Sequence, residues 1–289
     1  MTTLGIVFLP QLPPERLRPV VHAAEEAGLE ELWLWEDSFL EGGIATAAAA
    51  LAWSERLRVG VGLIPVPFRN VAITAMEMAT LLRMFPGRAR IGVGHGVQDW
   101  MEQVGARVES PVTLLREYIE ALRALLGGGS VTTEGRYVRL RDVKLGWPPA
   151  EPGPILAGGI GPRTLRAVGE VADGAIIVGG TSPSALREAK AMVDAGSAAA
   201  GRDPLPVVMY AHAATGPTAA DRMAAEHERW GYESTVDRSV IGDAEAVARA
   251  VQKWADAGAD TVVLQPTPDD PDLEGFVRFV GREVRPLVT

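Results

Sequence analysis

Three segments of the chain share one order. EEAGLEELWLW (25–35), GEVADGAIIV (169–178) and ADAGADTVVLQ (255–265) each pass from a helical pattern through a glycine into a short apolar run. We expect the glycines at 28, 174 and 258 to end their helices in the left-handed conformation that glycine adopts most easily. Apolar runs that are continuous rather than alternating predict strands of a parallel sheet buried on both faces. The repeat therefore indicates an α/β fold built from strand–helix units.

The same unit recurs along the whole sequence. The strand-length apolar runs are residues 3–9, 31–36, 57–64, 88–94, 154–157, 174–179, 206–213 and 260–266. Helical spacing fills the intervals between them, as in the run from Leu114 to Leu125. Eight such units in 289 residues predict a (β/α)8 TIM barrel, with a doubly wound open sheet as the alternative. We expect the chain, 1–289, to be a single domain.

Two stretches depart from this repeat. Residues 127–154 predict a β-hairpin with a proline-rich return, inserted at about 128–153 between units four and five. Residues 221–241 predict a second, charged excursion after strand seven. We expect both insertions to lie beside the loops at one end of the barrel.

The composition excludes several classes of function. The absence of cysteine excludes disulfides, thiolate metal sites, iron–sulfur clusters and a cysteine nucleophile. A formal charge of −9 provides no overall positive potential that would attract nucleic acid. The start of the chain lacks the pattern of a signal peptide, and no apolar run approaches the length of a membrane span. We expect a cytoplasmic protein that binds neither nucleic acid nor membrane.

In barrels of this kind, active sites lie at the carboxyl ends of the strands. Glycine is dense at four of these ends, in LRVGVGLIP (57–65), RIGVGHGV (90–97), LAGGIG (156–161) and VGGT (178–181). Glycine lets a ligand approach the backbone, and the last two turns lead into helix starts, where free N–H groups favour an anion. We therefore expect a phosphate-bearing cofactor, with a merely tight strand-to-helix connection as the alternative explanation of any single loop.

The polar residues at these ends suggest few catalytic groups. Among the four histidines, only His95 lies at a predicted active end, where it could donate a proton, contact a cofactor or hold structure. His22 and His227 are expected at the surface, and His212 could line the mouth. GVGHGV (92–97) departs from the dinucleotide fingerprint because Val97 stands at its third glycine position, so a classical nicotinamide site is not expected.

Strand two ends in the carboxylates Glu36 and Asp37. Adjacent residues of a strand point to opposite sides, so both cannot face the barrel interior. Asp37 is the candidate acid/base or orienting group, and capping the following helix is its alternative role. No serine–histidine–aspartate order, zincin pattern or convergent carboxylate cluster is present, which disfavours a hydrolase or a metal site.

Several blocks together resemble a known family. They are GIVF (5–8), WEDSF (35–39), LRVGVGLIPVPFRNVAITAMEMATLL (57–82), PGRARIGVGHGVQDW (86–100), PILAGGIGPRTLRAVGEVADGAIIVG (154–179) and VIGDAEAVARAVQKWADAGADTVVLQP (240–266). In this order they resemble the bacterial luciferase-like family of flavin- and deazaflavin-dependent oxidoreductases, nearest to its actinobacterial deazaflavin-using group. The resemblance implies a (β/α)8 barrel, often dimeric, with FMN or coenzyme F420 in the strand-end mouth.

The resemblance also implies site residues. It places a non-prolyl cis peptide at Gly62–Leu63, behind the cofactor ring, with His95 and Asp37 near that ring. The implied cofactor contacts are Asp37, Gly62, Leu63, Gly94, His95, Ala157, Gly158, Gly159, Gly161, Gly179, Gly180 and Thr181, the last seven of them on the phosphate arm.

The sequence departs from the family's sugar-phosphate dehydrogenases at three positions. Ser38 stands where they carry a histidine, Val97 where they carry a glutamate, and Thr181 where a lysine binds the cofactor phosphate. A glucose-6-phosphate dehydrogenase is therefore not expected. The histidine typical of luciferases is also missing from strand two, so light emission is not expected.

The function that we expect is hydride transfer between reduced coenzyme F420 and an organic small molecule. His95 or Asp37 would supply or orient a proton, and a homodimer is expected from the resemblance. Two alternatives stay open: an FMN-dependent monooxygenase that uses reduced flavin and oxygen, and a non-catalytic flavin-binding barrel.

Overall fold

The computed structural model describes residues 2–232 and 237–289. Within them the strands are β1 (Thr3–Val7), β2 (Glu31–Leu34), β3 (Arg58–Pro65), β4 (Ala89–Gly94), β5 (Val131–Glu134), β6 (Arg139–Val143), β7 (Ile155–Gly158), β8 (Gly174–Ile177), β9 (Val207–Ala214), β10 (Ser239–Ile241) and β11 (Thr261–Gln265). The α-helices are α1 (Leu17–Glu26), α2 (Gly43–Ala52), α3 (Val71–Met84), α4 (Gln98–Gln103), α5 (Pro111–Leu126), α6 (Pro162–Val171), α7 (Pro183–Ala199), α8 (Ala219–Arg229), α9 (Ala244–Asp256) and α10 (Leu273–Phe279).

Eight of these strands close into a parallel barrel. The order around it is β1, β2, β3, β4, β7, β8, β9 and β11, and β11 pairs with β1 to complete the circle. The helices lie between successive strands along the chain. The predicted (β/α)8 TIM barrel is confirmed.

The remaining strands belong to the two insertions. β5 and β6 form an antiparallel hairpin between the fourth and fifth barrel strands, as the sequence predicts. In the second stretch, β10 adds to the edge of β9 in parallel, and α8 precedes it. Part of that predicted excursion, 233–236, lies outside the described residues.

The barrel interior is filled by large side chains that occupy space left by glycines. Trp33, Ile176 and Tyr210 belong to one buried cluster inside the strands. A Cβ atom added at Gly60 would meet the Trp33 ring, and one at Gly62 would lie 2.6 Å from the Tyr210 hydroxyl. The strand glycines therefore leave space for aromatic rings from neighbouring strands. The barrel interior is a packed core rather than a channel.

One of the three predicted glycine caps is wrong. Gly28 and Gly258 have positive φ angles of 74° and 111°, as expected. Helix α6, however, ends at Val171, and Ala172 follows it in an extended conformation. Gly174 is instead the first residue of β8, where a Cβ atom would collide with the Leu156 side chain. Close packing, not helix termination, requires glycine there.

A buried carboxylate ties the amino ends of three strands together. Glu31 is 1% exposed and lies 3.2 Å from the Arg58 guanidinium and 3.1 Å from that of Arg90. Its other oxygen accepts a hydrogen bond of 2.8 Å from the Trp33 indole. The group is far from the carboxyl ends of the strands, so its contribution is to stability.

We predict that Glu31→Ala lowers the free energy of unfolding by about 3 kcal/mol, because it leaves two guanidinium groups without their counter-charge and an indole N–H without its acceptor. Urea denaturation measures this as a lower midpoint with an unchanged slope. Glu55→Ala, at an exposed position, is the control and should change the midpoint little. A loss of less than about 1 kcal/mol for Glu31→Ala would contradict this account.

Candidate active site

The barrel brings the predicted site residues to one end. Asp37 follows β2, Gly62 and Leu63 lie in β3, and His95 follows β4 directly. The residues expected on the phosphate arm lie at the end of β7 (Ala157 and Gly158), between β7 and α6 (Gly159 and Gly161) and between β8 and α7 (Gly179, Gly180 and Thr181), and Gly94 ends β4. All therefore surround the carboxyl-end mouth of the barrel, where the fold places active sites.

The two carboxylates after β2 have separate partners. β2 ends at Leu34, so Glu36 and Asp37 lie in the following loop, and the strand alternation expected of them does not apply. The Glu36 carboxylate accepts hydrogen bonds from the Gly43 N–H (2.8 Å) and from Arg69 (2.6 Å). Glu36, rather than Asp37, therefore stabilises the start of α2.

Asp37 is half-buried and keeps a weaker contact. The Gln11 side chain donates to its carboxylate at 3.3 Å. Burial raises the pKa of Asp37, and hydrogen bonds from Trp35 and Gln11 partly oppose that shift. A carboxyl with a raised pKa beside the mouth can hold or release a proton nearer neutral pH than an ordinary aspartate.

The end of β3 is fixed from inside the barrel. The Gly62–Leu63 peptide is cis, as the resemblance implies, and Ser38–Phe39 is a second cis bond that the sequence did not predict. The buried Tyr210 hydroxyl donates a hydrogen bond of 3.0 Å to the Gly62 carbonyl. Burial raises the pKa of Tyr210 well above its ordinary value, so this hydroxyl stays a donor. No sequence pattern distinguished Tyr210.

His95 has a partner at each ring nitrogen. Nδ1 lies 3.0 Å from the Gly96 carbonyl, and Nε2 lies 3.4 Å from the Thr164 hydroxyl. Because a carbonyl oxygen can only accept, Nδ1 carries a proton and donates it to Gly96, while Nε2 lies within reach of the Thr164 hydroxyl. His95 thus connects the end of β4 to the first turn of α6.

The amino end of α6 is the candidate anion site. Gly161 precedes this helix with a φ of 97°. Among the described residues, no atom outside its two chain neighbours lies within 4 Å of a Cβ atom built on it, and no side chain caps the helix. In contrast, Ser182 caps α7 by accepting from the Ala185 N–H at 3.2 Å. The α6 end therefore keeps free N–H groups that suit a phosphate.

The turn between β8 and α7 is held by residues that sequence analysis missed. Tyr232 donates to the Gly179 carbonyl at 3.1 Å, and Arg238 donates to the Gly180 carbonyl at 2.9 Å. The Arg238 guanidinium also lies 5.3 Å from the centre of the Tyr232 ring. Thr181, expected on the phosphate arm, donates its hydroxyl proton to the Val178 carbonyl at 2.9 Å. Tyr232 and Arg238 thus hold both glycine carbonyls of this turn.

The expectation that His227 lies at the surface is wrong. His227 and His212 are each 3% exposed, and their rings stack at 6.3 Å. Burial lowers the pKa of both, that of His212 to about 4, so both rings are neutral at pH 7. Helix α8 turns His227 towards β9 and away from solvent, which its charged neighbours in the sequence concealed. His22 is exposed, as expected.

A cleft of about 510 Å³ opens beside Asp37. Its lining residues come from three loops around the mouth: Glu36, Asp37, Ser38, Phe39, Leu40, Glu41, Gly42, Pro67, Phe68, Arg69, Val104 and Ala106. The stretch 96–110 thus contributes lining residues to this cleft, and the 128–153 hairpin contributes none. Burial raises the pKa of Glu41 to about 7, and no sequence pattern distinguished this residue.

Other site types are not found in the described residues. Within 2–232 and 237–289, no three histidine, aspartate or glutamate side chains come together as metal ligands. No helix among these residues has the length and apolarity needed to cross a membrane.

Comparisons with known proteins agree with this architecture. A 5,10-methylenetetrahydromethanopterin reductase of Methanolobus tindarius is 30% identical over 212 residues, 73% of this chain and 64% of that protein. An F420-dependent glucose-6-phosphate dehydrogenase of Kineococcus radiotolerans is 30% identical over 57% of this chain and 52% of its own length. The chain therefore spans between half and two thirds of the length of these relatives.

A solved structure shows the same fold. The coenzyme F420 dependent tetrahydromethanopterin reductase of Methanopyrus kandleri superposes with a TM-score of 0.87 at 23% identity, over 100% of this chain and 99% of that one. The family model described as luciferase-like monooxygenase matches residues 3–261. With its closed barrel and glycine-rich mouth, the chain belongs to this bacterial luciferase-like family.

Proposed function

We propose that this protein is an oxidoreductase that transfers a hydride between reduced coenzyme F420 and a small organic molecule. The observation that carries the proposal is the uncapped amino end of α6 at the barrel mouth, which suits the phosphate of a flavin-type cofactor. The relative from Kineococcus radiotolerans, named as F420-dependent, supports the deazaflavin over FMN. Family members are oxidoreductases or monooxygenases.

The residues present fit such a cofactor. In a chain of charge −9, the free N–H groups beside Gly161 offer a local site for an anion, and Arg163 lies in the same turn. Leu63, beside Gly94, and the groups around Asp37 would border the ring. When bound, the deazaflavin supplies the hydride chemistry, and the protein supplies position and water exclusion.

The roles of the two proposed catalytic residues differ. Asp37, with its raised pKa and its long hydrogen bond from Gln11, is suited to hold a proton for the substrate. His95 uses both ring nitrogens on the protein, which supports a role in holding the loop before α6.

The substrate differs from that of the sugar-phosphate dehydrogenases. Ser38, Val97 and Thr181 replace the histidine, glutamate and lysine that the resemblance associates with them. We therefore propose a substrate other than glucose 6-phosphate, in spite of the relatives of that name.

The second candidate is an FMN-dependent monooxygenase, which the description of the matching family model favours. Turnover that requires oxygen and a flavin reductase would distinguish it from hydride transfer. The homodimer and the cytoplasmic location, both expected from the sequence, are also proposed here. Sedimentation analysis tests the first, and fractionation of the source cells tests the second.

Gly161→Ala should weaken binding of coenzyme F420 about tenfold, because a φ of 97° strains an L-residue and shifts the start of α6. Quenching of cofactor fluorescence measures the dissociation constant. Gly201→Ala, at a φ of 67° with open space around it, is the matched control. An equal loss of affinity in both variants would show that strain alone, and not the α6 site, is responsible.

Asp37→Asn should reduce turnover about a hundredfold while leaving the affinity for coenzyme F420 unchanged, because the amide cannot exchange the proton. The measurement is anaerobic oxidation of reduced coenzyme F420 by organic acceptors. Asp203→Asn, at an exposed position, is the control. Undiminished turnover in Asp37→Asn would remove this residue from the reaction. A wild-type protein that is active only with FMN and oxygen would overturn hydride transfer itself.

A further inference from the structure

The mouth cleft beside Asp37 contains polar groups that the protein does not satisfy. Within the described residues, the Ser38 hydroxyl, both carboxyl oxygens of Glu41 and the Arg69 Nε are buried without a hydrogen-bond partner. All three residues line the same cleft. Buried polar groups without partners are costly, and several in one cleft point to a ligand that completes them.

The charges of the cleft argue against an anionic ligand. Arg69 is the one basic residue in the lining, and it lies 2.6 Å from Glu36 and 3.7 Å from Glu77. Its charge is therefore already neutralised. Asp37 and Glu41 add two further carboxyls to the lining. A phosphate or carboxylate on the ligand would meet these acids without an unpaired cation to compensate.

Each of the three residues with unsatisfied groups can supply a donor. Burial raises the pKa of Glu41 to about 7, so below that pH its carboxyl is neutral and presents an O–H. The Ser38 hydroxyl can also donate, and the Arg69 Nε can only donate. Donors without acceptors predict a ligand that carries an acceptor oxygen. Because Glu36, Asp37 and Arg69 are the other titratable groups in the lining, any pH dependence must be separated from theirs.

The walls of the cleft are apolar and aromatic. The Phe39 and Phe68 rings are stacked with centres 6.4 Å apart and planes inclined by 27°. Phe39 is 60% exposed, and Leu40 and Val104 beside it are 53% and 48% exposed. Aromatic and aliphatic side chains that remain exposed around a concave site suit an apolar, preferably planar, ligand.

We propose that this cleft binds an uncharged, apolar substrate that carries a carbonyl oxygen, and that Glu41, with Ser38, donates a hydrogen bond to that oxygen. Calling the ligand a substrate rests on the proposed function; the binding chemistry itself does not. Glu41 is thereby a specificity-determining residue, and the other carboxyl groups of the lining, Glu36 and Asp37, exclude sugar phosphates and other anions from the site.

The test uses three probes of similar size on the full chain: acetophenone, ethylbenzene, which lacks the oxygen, and benzoate, which carries a charge. Chemical-shift titrations of the ¹⁵N-labelled protein give the dissociation constants. Acetophenone should bind in the cleft about tenfold more tightly than either other probe at pH 6, and Glu41→Leu should lose most of that preference. Benzoate binding as tightly as acetophenone, or an unchanged preference in Glu41→Leu, would overturn the proposal.

A second set of variants separates the donor role from packing. Acetophenone affinity should fall as the pH rises through about 7 in the wild-type protein, because the ionised carboxyl cannot donate. Glu41→Gln keeps a donor that does not titrate, so it should bind acetophenone with little pH dependence. Asp37→Asn should keep the wild-type pH dependence. If this substitution abolishes the pH dependence, Asp37 and not Glu41 is the donor, and the proposal is wrong.

The same samples distinguish this proposal from the proposed function. Coenzyme F420 is titrated separately, without the probes, so loss of cofactor binding leaves the probe results standing. Sedimentation at the concentrations of the titration detects self-association. A dimer that covers the cleft and prevents binding of all three probes would contradict a substrate site there.

Discussion

The Trp33 indole fills the barrel at the level of Gly60, and contacts on either side of it connect the two ends of the molecule. Its N–H donates to Glu31, which the guanidinium groups of Arg58 and Arg90 neutralise at the amino ends of the strands. Its ring meets Tyr210 edge to face at 6.0 Å, and Tyr210 donates to the Gly62 carbonyl near the mouth. The main role of the β3 glycines is therefore to leave room for the Trp33 and Tyr210 side chains.

This packing changes how glycine at the mouth is to be interpreted. A Cβ atom at Gly94 would collide with Leu63, and one at Gly179 would collide with His212. These two positions therefore need glycine because neighbouring side chains occupy the space that a larger residue would fill. Among the glycines expected to contact the cofactor, Gly161 alone combines a positive φ with open surroundings. A glycine-rich end of a strand therefore locates the mouth of a barrel, while the cofactor contacts within it need the structure.

The sequence predicts the strands well and the partners of the polar side chains poorly, for physical reasons. Continuous apolar runs follow from burial on both faces, so all eight barrel strands could be found, and the barrel rule placed Asp37 and His95 at the right end. The hydrogen bond from Tyr232 to Gly179 joins residues 53 positions apart, and no local pattern encodes it. Glu41 was missed because its environment, not its neighbours in sequence, shifts its pKa.

We propose that this mouth is built for a deazaflavin that delivers a hydride. A side-by-side titration of the purified protein with coenzyme F420 and with FMN, followed by cofactor fluorescence, is the decisive test. Saturable binding of coenzyme F420 that is clearly tighter than that of FMN is the result expected. A preference for FMN would favour a monooxygenase that uses oxygen. Binding of neither cofactor would contradict the assignment of a cofactor site to the barrel mouth.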